Sequence, residues 1–453
     1  MSIIDIATFL MVILLMVIAG HWGVRRVQSE KSYLLADNNT GLFALTANLV
    51  MTEFNTSTLI AFSAIGYLCG LWALVLPFVF LIGLTFYGIT VAKKWKQFNG
   101  LSVAQFFSQR YGDSVGKLAS FALIAAMTGF SAVYIKSLSI IFSLAFPSVH
   151  TWMLSLVLVL LILLLTLRGG LVAIIKNDII SFCILLIFMP LMMLLSWNNS
   201  ATTPYNITEA MTLLPPSFVV AITLVTMFTY IIAPWYGQKI FSAKTPAIAK
   251  QSVMIAAVLV FVLYACAVMA TSFLKKNSVV NHDQALPYIV MNILPTGLRG
   301  IGFGVFFAAA ATTLSGVWSA MTSMVVSDFL GRNNSEGCGR SIYITIAFAT
   351  IAYLLGNTLV DKILQKLILA NIPVLALSFA LLAGFYWKKA SKAGAIISIV
   401  VGLCWGVFTY AYFGEDGGYQ WYWAIYGIPL IFGSGAVGSI AFPEIIAQKS
   451  TSL

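Results

Sequence analysis

A cluster of polar side chains interrupts a hydrophobic segment at residues 51–67, which is long enough to form a membrane helix. The polar residues in its middle are Glu53, Asn55, Thr56, Ser57 and Thr58. A carboxylate at bilayer depth costs at least about 2.5 kcal/mol, so it should face a partner, a cavity or an ion rather than lipid. The segment therefore predicts a transport site inside a membrane protein.

The composition of the whole chain agrees with this interpretation. Of its 453 residues 60% are hydrophobic and only 9% are charged, and the mean hydropathy is +0.96. These values exclude an ordinary soluble domain and predict a polytopic protein whose partner is the lipid bilayer. We assign the net charge of +11 to basic loops on one membrane face, and we expect no nucleic-acid partner.

The residues that commonly bind metals or cofactors are scattered along the sequence. The five cysteines show no paired spacing, so neither a disulfide framework nor a zinc site is indicated, and the three histidines are equally dispersed. No phosphate-binding glycine motif is present, and no nucleophile pairs with a base. We therefore expect no cofactor and no enzymatic activity.

Hydrophobic segments predict thirteen membrane helices with the N-terminus outside and the C-terminus in the cytoplasm. The predicted spans cover residues 3–20, 39–67, 71–92, 117–146, 152–167, 171–197, 216–238, 251–274, 300–328, 341–357, 363–386, 393–413 and 420–442. Most of the 25 Lys and Arg residues, including Lys239, then lie in predicted cytoplasmic loops, as the positive-inside rule requires.

One lysine, Lys136, lies inside a predicted span and needs a partner of its own. It is placed to form a buried ion pair with Glu53, to bind a substrate carboxylate, or to extend towards the outer face. The ion pair would favour proton coupling or a weaker sodium requirement. The sequence leaves these three alternatives open.

Five stretches resemble the sodium:solute symporter family, which includes sodium/proline, sodium/glucose and sodium/sialic-acid cotransporters. They are the polar helix ending in AIGY at residues 64–67, GLSV with the following FF and RY at 100–111, RGGLVAII at 168–175, QKIFSAK at 238–244, and AAAATTLSGVWSAMTSMVVSD at 308–328. They occur in the order and at the predicted topological positions that the family shows.

The resemblance implies an all-α, LeuT-like core of two inverted five-helix repeats whose first helices are broken near the bilayer midplane. The first repeat would occupy residues 39–197, and the second, with an outer loop, 198–386. Residues 1–38 would add one helix and a loop, and residues 387–453 two helices and a tail. The sequence permits both breaks, because Asn55 to Thr58 can bond to local backbone and Pro234 removes a backbone donor.

The resemblance also implies a sodium site. Hard monovalent cations need oxygen ligands, and the site would use the carbonyls of Met51, Phe54 and Ala309 with the hydroxyls of Thr312 and Thr313. In an alternative interpretation, small polar residues on the same helix form a packing stripe. That stripe would contain Thr312, Ser315, Ser319 and Ser323.

Two acidic residues are candidates for coupling. Glu53 lies where sodium/proline relatives carry an acidic residue important for sodium, and it would neutralise the ion with or without contact. Asp178 matches an aspartate that glucose-type relatives link to sodium exit, although an acidic group there could also cap its helix.

The candidate substrate contacts are polar or aromatic residues near the two breaks and on the helix that carries Lys136. They are Asn55, Ser57, Thr58, Tyr134, Lys136, Tyr230 and Trp235. The resulting hypothesis is a symporter that imports a small polar organic solute with sodium by alternating access, with one monomer sufficient and the inner membrane of a bacterium as its location. The alternatives are proton-coupled or sodium-independent transport through Glu53 and Lys136, and a substrate sensor on a transporter scaffold.

Overall fold

The computed structural model describes residues 1–24, 38–98, 100, 102–166, 170–198, 206–274, 281–330 and 339–444. Over these ranges the chain is helical, and the only strand-like pairing in them is an isolated bridge between Thr40 and Ala243. Hydrophobic side chains cover much of the outer surface, with Leu164 74% exposed and Ile187 72% exposed, as expected for residues that face lipid.

Fourteen of the described helices are labelled here. They are α1 (Ile3–Val24), α2 (Leu42–Glu53), α3 (Thr56–Cys69), α4 (Val75–Thr90), α5 (Asp113–Ser143), α6 (Thr151–Thr166), α7 (Gly170–Asn198), α8 (Pro216–Tyr230), α9 (Pro234–Phe241), α10 (Pro246–Ser272), α11 (Leu298–Val325), α12 (Gly339–Thr358), α13 (Lys392–Phe413) and α14 (Tyr419–Ala441). Shorter segments are Gly70–Leu74, Ala92–Phe98, Val103–Tyr111, Ile207–Leu213, His282–Gln284, Ala285–Tyr288, Ile289–Ile293, Val326–Leu330, Ile363–Leu369, Ile372–Ala376 and Ser378–Tyr386.

The described residues contain ten helical stretches long and apolar enough to cross a membrane, or eleven if one bent pair is counted as a single span. The stretch Thr56–Thr90 counts as one, although the sequence predicts two spans there. Helix α2 and residues Thr151–Leu165 are apolar but shorter than the others. The multi-pass architecture is confirmed, while the number thirteen stays a prediction.

The first predicted break is confirmed, and it lies between α2 and α3. Helix α2 ends at Glu53, and Asn55 adopts an extended conformation before α3 begins. The Asn55 side-chain oxygen accepts a 2.8 Å hydrogen bond from the Thr58 backbone N–H. This satisfies one donor left free at the start of α3, so the polar side chain stabilises a helix start inside the helical core.

The second predicted break is also confirmed. Helix α8 ends at Tyr230, and Pro234 is the first residue of α9. A proline at this position lacks only a donor that would be unpaired anyway. The indole N–H of Trp95 donates to the carbonyl of Ile231 in the break, at 2.8 Å.

The two broken helices are tied together at one end. The Thr40 N–H donates to the Ser242 carbonyl at 2.9 Å, and the Lys244 N–H donates to the Thr40 carbonyl at 3.0 Å. These bonds link the residues before α2 to those after α9. Helix α10 packs against α2, α3 and α4. A methyl group on Gly66 of α3 would come within 2.8 Å of the Val268 carbonyl, so glycine permits this close approach.

Candidate ion and substrate site

Four of the five residues proposed as sodium ligands, Met51, Ala309, Thr312 and Thr313, come together where α11 crosses the end of α2. The Thr313 hydroxyl lies 3.3 Å from the Met51 carbonyl and donates to the Ala309 carbonyl at 2.8 Å. The Thr312 hydroxyl donates to the same Ala309 oxygen at 3.1 Å. Phe54, the fifth, is the C-cap residue that follows α2, and its ring stacks on Tyr264. A buried group of carbonyl and hydroxyl oxygens of this kind suits a hard monovalent cation.

Beside this group, Glu53 is buried among phenol rings. Its carboxylate accepts a short hydrogen bond from the hydroxyl of Tyr230, the last residue of α8, and the Tyr236 hydroxyl reaches it as well. Its side chain is only 3% exposed. The Glu53–Tyr230 contact therefore joins the edges of the two helix breaks.

Lys136 does not provide the charge partner of Glu53. It is half-buried on α5, and across the described ranges it forms no ion pair with Glu53. The structure therefore does not contain the ion pair with Glu53. The other two alternatives are that Lys136 binds a substrate carboxylate or that its side chain extends towards the outer face.

Asp178 forms an ion pair with Lys239, which the sequence analysis places in a cytoplasmic loop. Its Oδ2 accepts a 3.2 Å bond from Lys239 Nζ, and the two side chains are 0% and 1% exposed. The predicted loop position of Lys239 is wrong, because α9 carries it into the core. The capping alternative for Asp178 is also wrong, because Asp178 lies more than two turns inside α7.

The three polar substrate candidates at the start of α3 are already engaged with protein atoms, Asn55 and Ser57 through their side chains and Thr58 through its backbone N–H. Asn55 caps α3 through the Thr58 N–H, and its side-chain N–H donates to the Glu53 carbonyl at 2.9 Å. The Ser57 hydroxyl lies 3.0 Å from that of Ser137 on α5. In this conformation these groups shape the break and hold α3 against α5.

The aromatic candidates lie around the two breaks. Tyr134 on α5 and Trp235 on α9 both contact Phe130, with ring centroids 6.4 Å and 5.2 Å apart. Tyr230 bonds to Glu53. The rings form a largely apolar wall with polar edges, which is the usual character of a small-molecule site.

Sequence reasoning missed Tyr264, which stabilises the first break. Its hydroxyl donates to the Glu53 carbonyl at 2.6 Å and accepts from the Asn55 N–H at 3.1 Å. One phenol on α10 thus bonds to two backbone groups at the break. Tyr264 lies in a continuous apolar run, so no local signal in the sequence distinguishes it from a packing residue.

Comparisons with known proteins agree with this fold. The model of the sodium:solute symporter family matches residues 33–402. The chain is 21% identical to the sodium/glucose cotransporter of Vibrio parahaemolyticus over 476 positions, which cover 90% of this chain and 85% of that protein. It is 26% identical to sodium/myo-inositol cotransporter 2 of Mus musculus over 137 residues, 28% of this chain. The chain spans about a fifth of the length of the myo-inositol cotransporters that it matches, 20% in this case.

The fold is similar to that of a solved Na⁺-coupled sialic acid symporter in a substrate-bound, outward-open state. The TM-score is 0.79 at 16% identity, covering 98% of this chain and 99% of the other. A mutant manganese transporter of Eremococcus coleocola gives a TM-score of 0.51 at 15% identity, covering 91% and 96%. The predicted all-α, LeuT-like fold class is confirmed, while the boundaries of the two repeats stay a prediction. Because the family model covers most of the chain, the protein belongs to the sodium:solute symporter family.

Proposed function

We propose that this protein is a secondary transporter that imports a small polar organic solute together with sodium by alternating access. Membership of a transporter family supports this function, as do the names of the sodium-coupled relatives from Vibrio and mouse. The site would lie between the two broken helices, near the middle of the bilayer. In the proposed orientation the N-terminus is outside and the C-terminus is in the cytoplasm of a bacterial cell.

The observation that carries the proposal is the contact between Thr313 of α11 and the Met51 carbonyl of α2. Met51 lies in the last turn of a helix that stops at Glu53, so its carbonyl has no helical N–H partner one turn further on. Sodium would replace the long hydroxyl contact and take oxygens from both helices. The ion would then fix α2 against α11, which links sodium binding to the position of a half-helix.

The substrate would occupy the space beside the breaks. Tyr134, Tyr230 and Trp235 would supply aromatic faces and hydroxyls, and Lys136 would bind an anionic group if the solute carries one. Asn55, Ser57 and Thr58 would contribute if their bonds within the protein rearrange on binding. The relatives named for glucose and myo-inositol support a polyhydroxylated solute as the first class to screen.

One sodium ion supplies enough energy for accumulation. At 100 mV its charge contributes about 2.3 kcal/mol, and a tenfold gradient adds about 1.4 kcal/mol. The sum of about 3.7 kcal/mol would sustain a solute gradient of several hundredfold under tight one-to-one coupling.

The test is thermal unfolding of the purified protein across sodium concentration, with choline holding the ionic strength constant. A ligand at 100 times its Kd stabilises the folded state by about 2.7 kcal/mol, which raises the midpoint. We expect this sodium-specific rise in the wild type and its loss in Thr313→Val and Thr312→Ala.

The matched control is Thr322→Val on the same helix, because the Thr322 hydroxyl bonds to Thr345 away from the site. This variant should keep the full sodium response. A wild type that responds equally to sodium and choline would contradict the proposed ion site. Solute uptake into proteoliposomes then separates a transporter from a sensor, since only the transporter accumulates solute.

Proton coupling is the second candidate, and the surroundings of Glu53 favour it. Across the described ranges the carboxylate is held by phenol hydroxyls and forms no ion pair with a lysine or arginine. A carboxylate in such surroundings can carry a proton. Solute uptake driven by a proton gradient without sodium, and abolished in Glu53→Gln, would select this candidate.

A further inference from the structure

The ammonium group of Lys239 is held inside the protein by oxygen atoms from two other helices. Its Nζ lies 3.1 Å from the Asn48 carbonyl of α2 and 3.2 Å from Asp178 Oδ2 of α7. Lys239 and Asp178 are both almost fully buried. A positive charge on α9 is thus enclosed by the elements that also surround the proposed sodium site.

The Lys239 ammonium lies close to the proposed sodium ligands along both α2 and α11. Asn48 precedes Met51 by three residues, about one turn of α2. On α11, a methyl group on Gly316 would lie 3.8 Å from Lys239 Cε, and Gly316 follows Thr312 and Thr313 by about one turn. The ammonium therefore lies about one turn from the proposed sodium site on both helices, on the side predicted to be cytoplasmic.

Several polar atoms around this ion pair have no hydrogen-bond partner among the described residues. They are Asp178 Oδ1, both polar ends of the Asn48 side chain and the hydroxyl of the nearby Ser181, and all of them are buried. Ser181 follows Asp178 by three residues on α7, so both belong to neighbouring turns of one helix face. Buried groups of this kind are normally paired, and an unpaired one usually has a structural or functional explanation. Three of these atoms are oxygens that a sodium ion would accept as ligands.

We propose that the Lys239 ammonium takes the place of a second bound cation at Asp178. The wild type then binds one sodium ion, at Thr312 and Thr313, and carries the second positive charge permanently on its own side chain. Removal of the ammonium opens a second sodium site formed by the Asp178 carboxylate with oxygens of Asn48 and Ser181. This inference rests on the proposed function and specifies its ion stoichiometry.

The ammonium can replace a sodium ion because a buried carboxylate needs a compensating positive charge. Asp178 cannot remain ionised and buried without a cation nearby, and Lys239 supplies it. A sodium ion next to the ammonium would be repelled, so the two cations exclude each other. When alanine replaces Lys239, the carboxylate remains and the space of the ammonium becomes free.

The test is equilibrium binding of ²²Na⁺ to the purified full-length protein at saturating sodium. We expect one ion per wild-type protein, two in Lys239→Ala, and one in Lys239→Arg, which keeps the charge. The double variant Asp178→Asn/Lys239→Ala should return to one, because the neutral amide no longer attracts the second ion.

The outcomes separate this inference from the proposed function. One ion in both the wild type and folded Lys239→Ala would overturn the second site and leave sodium coupling intact. Two ions in the wild type would also overturn it, and this measurement needs no variant. No binding in the wild type would instead overturn the sodium site at Thr312 and Thr313. If Lys239→Ala does not fold, Lys239→Gln keeps most of the side-chain volume and is measured in the same way.

Discussion

Glu53 and Asp178 are both carboxylates buried inside the protein, but their partners differ. Glu53 lies at the helix break and accepts hydrogen bonds from phenols. Asp178 lies inside a continuous helix and pairs with the ammonium of Lys239. Phenols are neutral donors, so they do not compensate a negative charge on Glu53. The charge of Asp178 is already neutralised by the protein.

Under the proposed function, Glu53 would act in each transport cycle, whereas Asp178 would have a fixed structural role. A carboxylate that must meet a sodium ion or a proton in each cycle cannot also hold a permanent cation. A carboxylate beside a resident lysine stabilises one arrangement of α2, α7 and α9 instead. Substitutions at the two sites should therefore differ in size and in their dependence on sodium.

The largest expected effect is that of Lys239→Ala measured in choline without sodium. Removing one partner of a buried ion pair leaves an uncompensated charge and should lower the free energy of unfolding by about 3–5 kcal/mol. Thermal and denaturant unfolding measure this loss. Asp178→Asn/Lys239→Met is the control, and it should recover much of the stability because both charges are gone. If the unfolding midpoint of Lys239→Ala equals that of the wild type, the ion pair between Lys239 and Asp178 is not formed.

Tyr230→Phe should have a smaller effect. It removes one donor from the buried Glu53 carboxylate, which should cost about 1–3 kcal/mol of unfolding free energy. The control is Tyr410→Phe, which removes a 3.2 Å bond to Glu415 at a partly exposed site and should cost less. Equal losses in the two variants would argue against a special role for the phenols around Glu53.

Asn55→Ala tests the helix break itself. Loss of the cap on α3 should cost about 1 kcal/mol, a typical value for such substitutions. Asn55→Ser should recover part of it, since serine also caps helix starts. Unfolding midpoints of both variants provide the measurement, and a midpoint for Asn55→Ala equal to that of the wild type would contradict a stabilising role for this cap.

The smallest expected stability effect is that of Lys136→Gln. Because Lys136 has no ion-pair partner among the described residues, the variant should unfold within about 0.5 kcal/mol of the wild type. If Lys136 binds an anionic group of the solute, uptake should nevertheless fall. A loss of stability as large as that of Lys239→Ala would reveal a partner of Lys136.

The main features that the sequence predicted correctly depend on local chemistry. The hydrophobic segments give membrane helices, and the polar run after Glu53 and the proline at 234 mark the two breaks. Short-range preferences are sufficient for these features, since a cap or a missing donor acts within one turn. The position of Lys239 was predicted wrongly, because a basic residue after a hydrophobic segment normally lies in a loop.

What the sequence alone determined is therefore the membrane character of the chain, its helical segments and the places where two of them break. Only the tertiary structure decided which charges meet. Tyr230 is 177 residues from Glu53, and Lys239 is 61 residues from Asp178. Such pairs depend on how whole helices pack, and a sequence pattern with a period of a few residues contains no information on which buried carboxylate receives a lysine and which receives a phenol.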